Sequence, residues 1–128
     1  MRFLSIYQAP ETGVPPTQEH MDAMGRLIEE MQSNGTLIAT EGCLPSALGA
    51  RVRLSDGDLT VTDGPFTESK ELIAGFALLR ADSKEHAVEL TKRFLEVAGG
   101  GVCEIRQVYE GPDCVPELTT AGAAAGVA

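Results

Sequence analysis

Thr62-Asp63-Gly64-Pro65-Phe66-Thr67-Glu68-Ser69-Lys70-Glu71 decides how the chain is read. Before it, Leu59-Thr60-Val61-Thr62 alternates apolar and polar residues, the period of a half-buried strand. After it, Ile73 to Leu79 is apolar except at Gly75 and predicts a central strand buried on both faces. Between the two lie a Gly-Pro turn and a charged run with no helical stripe. Strand therefore follows strand across this stretch, and the helices must lie outside it.

Working outward, Ala50 to Leu54 alternates again, and Asp56-Gly57-Asp58 between the two alternating segments is a tight-turn signal, so the pair predicts a hairpin. Thr36 to Cys43 reads as a strand. A helix is expected after Thr17, a good N-cap residue, with Met21, Met24, Ile28 and Met31 as its apolar stripe and Ser33-Asn34-Gly35 as its stop. Arg2 to Tyr7 opens the chain as a strand, and Pro10, Gly13, Pro15 and Pro16 then hold a loop. On the far side, Asp82-Ser83-Lys84-Glu85 resembles a capping box with Asp82 as cap, and the helix after it should bury Ala87, Leu90, Phe94 and Val97. Gly99-Gly100-Gly101 ends that helix, and Val102 to Tyr109 is the last strand. The order β-α-β-β-β-β-α-β predicts an α+β sandwich, with both helices on one face of a mostly antiparallel sheet. The opposite face is left uncovered, and its apolar residues favour a homodimer packed sheet to sheet. Residues 1–111 make one domain and 112–128 a tail, mostly Ala and Gly from Thr119 on, with the composition of a disordered segment.

Composition excludes several classes of function. A net charge of −9 lacks the basic footprint that nucleic acid or an anionic membrane surface requires. Aromatic residues make up 5% and Trp is absent, which argues against a base-stacking platform. No apolar run approaches the roughly 18 residues of a membrane span, and the stretch after Tyr7 is too polar for a signal peptide. Three cysteines without Cys-x-x-Cys spacing suit a reduced, cytoplasmic protein. Two isolated histidines offer no metal-ligand spacing, and no metal is expected.

Asp63 shares a strand face with Leu59 and Val61, so its carboxylate should be partly desolvated and in need of a partner. It can equally cap the turn that follows, and the two readings are compatible. His20 lies in the first turn of the first helix, aligned with Met24 and Leu27. The helix N-terminus disfavours the imidazolium, and a neutral imidazole is what a general base requires. The other reading of His20 is a solvent-facing residue with no role. His86 reads as surface. Ser46, in the loop after Cys43, can donate to a ligand, and Tyr7 can do so from its strand end. Phe66 packs the turn and stands with these as a candidate ligand contact. Arg106, if it points inward, must meet an acid such as Asp63 or Glu104.

Asp63 to Glu71, followed by Gly75-Phe76, resembles the DGPF-type branch of the YCII-related family. Tyr7 at the end of the first strand, a Leu-Pro pair soon after Gly42, and Glu104-Ile105-Arg106-Gln107-Val108 near the end agree with it, although Gln107 stands where the family has Pro. The resemblance implies a ferredoxin-like fold that dimerises into an α/β barrel, and a cleft in which a His and the motif Asp work together, here His20 and Asp63. It implies a cofactor-independent lyase or isomerase for a small cyclic or aromatic compound. The alternative is a noncatalytic small-molecule-binding or regulatory partner protein of the sigma-factor-associated type.

Overall fold

The computed structural model describes residues 1–115. The expected Ala/Gly-rich tail, from residue 116 on, lies outside the described residues. The elements are β1 (Arg2–Ala9), α1 (Gln18–Ser33), β2 (Leu37–Gly42), β3 (Ala50–Ser55), β4 (Asp58–Asp63), β5 (Leu72–Arg80), α2 (Lys84–Ala98) and β6 (Val102–Gln107). The order read from the sequence is the order observed.

Four strands form an antiparallel sheet in the order β2-β5-β1-β6, and β3 and β4 form a separate two-stranded sheet. With the hairpin set aside, β-α-β-β-α-β in this order is a mixed α+β fold compatible with the ferredoxin-like arrangement. Parity explains the core. Phe3 and Ser5 on β1, and Gly75 and Leu79 on β5, point to one side and are buried. Leu27 and Met31 of α1 and Ala87 and Leu90 of α2 close over that side. Phe3, 2% exposed, sits at the centre. Removing its ring is worth about 3–5 kcal/mol.

Among the described residues, no layer covers the other sheet face. Ile73 and Phe76 of β5 are exposed, so this strand is buried on one face and not on both as its uninterrupted apolar run suggests. An apolar run records only that neither face is polar, not that each is covered within the same chain.

Each helix begins on a hydroxyl. Thr17 Oγ1 accepts from the His20 N–H at 3.1 Å, as expected. At α2 the cap is Ser83, whose Oγ accepts from the His86 N–H at 3.1 Å, and not Asp82. The reason is local: the Asp82 N–H donates to His86 Nδ1 at 3.1 Å, which holds Asp82 one residue outside the helix. His86, expected on the surface, is half-buried and closes this turn. Gly99 ends α2 at φ 86°, the left-handed conformation of a C-terminal stop.

The hairpin turns on Asp56 (φ 52°) and Gly57 (φ 82°), a two-residue turn with both central φ positive. Val52 faces Val61 and Leu54 faces Leu59, each about two thirds exposed. Among the described residues, no helix is long and apolar enough to cross a membrane.

Candidate functional site

The stretch from Asp63 to Glu68 ties the hairpin to the domain. The Gly64 N–H donates to the Gly49 carbonyl at 2.9 Å. A Cβ on Gly64 would stand 1.7 Å from the Ser46 carbonyl oxygen, so only glycine admits this approach. Ser46 joins three segments: its N–H and its hydroxyl donate to the two Glu11 carboxylate oxygens, at 2.7 and 2.9 Å, and its Oγ accepts from the Phe66 N–H at 3.3 Å. The Arg51 guanidinium lies 3.9 Å from the centre of the Phe66 ring and pairs with Glu68. The Glu68 carboxyl is held below its usual range, first by a backbone hydrogen bond and then by Arg51. Phe66 and Ser46 are thus occupied within the chain. Asp63, at the end of β4 opposite Ala50, is exposed, because none of the described residues forms a layer over the hairpin face that it shares with Leu59 and Val61.

The sheet and the two helices enclose a cavity of about 230 Å³. Met24, Ile28 and Met31 of α1 form one wall, Leu90 and Phe94 of α2 another, and Ala77 and Leu79 lie in the floor. Glu41, Gly42 and Phe76 are the exposed members of the lining, so it opens where the end of β2 pairs with the first half of β5. Its polar groups are few, and apart from Glu41 they are uncharged. Ser5, Tyr7 and Cys103 cluster on adjacent strands, Tyr7 directly opposite Cys103. Burial pushes the Cys103 thiol up, opposed in part by a hydrogen bond with Ser5. Burial also raises the Tyr7 phenol, with a smaller contribution from Cys103. Both groups therefore remain neutral well past neutral pH. Thr91 Oγ1 donates to the Ala87 carbonyl at 2.9 Å, and Thr40 Oγ1 to the Phe76 carbonyl at 2.8 Å. Such a lining offers contact area and a few neutral hydrogen-bonding groups, with no ionised partner for a charged ligand in its depth.

Beyond Tyr7 lies a wider, open groove of about 580 Å³, bordered by Pro15, Pro16, Thr17, His20 and Gly99 to Gly101. His20 is half-buried here. Among the described residues, no hydrogen bond or ion pair joins His20 to Asp63, and Asp63 borders neither the cavity nor the groove. Arg106 points to the uncovered sheet face, exposed, with its guanidinium 3.3 Å from Glu104. Of the six residues singled out in the sequence, only Tyr7 borders the cavity and only Tyr7 and His20 border the groove.

Ser5, Thr40, Thr91 and Cys103 were missed. Ser5 carried a signal, since it shares strand parity with Phe3 and Tyr7, and a polar residue on a core face asks for a reason. Thr91 had a weaker one, one residue past Leu90 in the apolar stripe of α2.

The YCII-related domain matches this chain over residues 1–111. The chain belongs to the YCII-related family. No protein of curated function matches it. The YCII-related match spans every strand and both helices, and with them the cavity, the groove and the Asp63–Glu71 stretch.

Proposed function

We propose that this YCII-related protein takes up a small, neutral, largely apolar molecule in the cavity between its helices and its sheet, and holds it without converting it. The observation that carries this is the lining, apolar on three sides with neutral Ser5, Tyr7 and Cys103 at one end. Size supports it. A dry cavity of about 150 Å³ accommodates benzene. About 230 Å³ therefore accommodates one or two rings or a short chain, at the small end of ligand pockets. The lyase or isomerase expectation needs His20 and Asp63 at one substrate, and Asp63 borders neither the cavity nor the groove that His20 borders. The Asp63–Glu71 motif supports membership of the DGPF-type branch, and the uncovered apolar faces support a homodimer.

Calorimetric titration with indole, a neutral two-ring probe, tests the reading. One indole per chain is expected. Ala77→Phe, which fills the cavity from its floor, should abolish binding in a protein that still melts cooperatively. His20→Ala and Asp63→Asn should bind as the parent does. Retained binding in Ala77→Phe would move the site elsewhere.

A further inference from the structure

Tyr7 borders both the inner cavity and the outer groove, and no other residue does so among the described residues. Its ring stands edge-on to Phe94, with centroids 5.0 Å apart and planes at 83°. Its hydroxyl donates to the Gly100 carbonyl at 2.9 Å. Behind the ring runs Gly101, at φ 105°, where a Cβ would come within 2.5 Å of Tyr7 Cε1 and 2.9 Å of the Gln8 carbonyl oxygen. The ring is therefore held from three directions, by an aromatic edge, a hydrogen bond and a backbone that only glycine permits. Phe94 and Cys103 line the cavity with it, and the Gly99–Gly101 turn and His20 border the groove with it.

We infer that Tyr7 is the partition that sets the length of ligand this protein accepts. The inference rests on the binding reading proposed above. With the ring in place, a ligand ends at Phe94 and Tyr7. Without it, the cavity of about 230 Å³ and the groove of about 580 Å³ become one elongated site, apolar at one end and bordered by Thr17 and His20 at the other. The phenol hydroxyl is committed to Gly100, so the part of Tyr7 that meets the ligand is the face of its ring. Tyr7 acts here as a specificity-determining wall.

The test uses 1-alkanols from butanol to dodecanol, titrated into the full chain by calorimetry. In the parent protein, affinity should rise about fourfold per added methylene until the chain fills the cavity, and then stop rising. Tyr7→Ala should move that stop to a longer alkanol and tighten the longest members about tenfold relative to the parent. Tyr7→Phe keeps the ring against Phe94 and should keep the parent's limit. If Tyr7→Ala does not fold, Tyr7→Leu, which also lacks the ring, carries the same expectation. Nuclear magnetic resonance adds a readout of position, because His20 is one of only two histidines. An alkanol past the parent's limit should shift the His20 ring signals in Tyr7→Ala and leave them in place in the parent. An unchanged length limit in a folded Tyr7→Ala overturns the partition and leaves the binding reading standing. Long alkanols that shift His20 in the parent overturn it too. Failure of every alkanol to bind the parent overturns both.

Discussion

Gly64 shows how much a single residue can hold. Its missing Cβ lets two loops meet at the base of the hairpin, where any side chain would collide with the Ser46 carbonyl 1.7 Å away. Gly64→Ala should therefore lower stability by about 1–3 kcal/mol, measured by denaturant unfolding. Asp63, its exposed neighbour, should tolerate Asn within about 0.5 kcal/mol. A reversed order of the two would contradict the assignment of this stretch as a structural clasp. The sequence made Asp63 the chemical half of the motif and Gly64 to Phe66 the turn. The turn is as expected. What the sequence lacked was any record of which surfaces the fold covers: parity placed Asp63 correctly beside Val61, but that face is open to solvent. Tyr7 was legible as a residue near the end of the first strand, which runs on to Ala9. Its commitment to Gly100 was not, because that bond spans most of the domain in sequence.

The elements were the more legible level, since each is decided by local signals. The alternating segments and the Asp56-Gly57 turn stand where their period puts them; of the expected stripe, Met24, Ile28 and Met31 pack inward while Met21, in the first turns of α1, is exposed. The cap of α2 was misplaced by one residue. Two candidates, Asp82 and Ser83, stood side by side, and a bond from the Asp82 N–H to the His86 ring decided between them. Ser83→Ala should cost about 1 kcal/mol of stability in thermal melts, as loss of a helix cap does. Asp82→Ala should cost less than half of that. Equal losses would return the cap to Asp82.

For the molecule as a whole, the unanswered demand is for cover. A lone two-stranded hairpin is marginal in water, and this one presents Val52, Leu54, Leu59 and Val61 to solvent. The uncovered sheet face adds Ile73 and Phe76. A second copy of the chain is the proposed cover. Sedimentation equilibrium should then show a dimer at micromolar concentration, and Val52→Asp combined with Leu59→Asp should weaken it at least tenfold. A monomer throughout would contradict this. The central claim, however, concerns the cavity, which forms within one chain. It is tested most directly by titrating indole into the parent protein and into Ala77→Phe. The account predicts one indole per chain in the parent and none in Ala77→Phe, with both folded. Absence of binding in the parent, or equal binding in the two, would contradict it.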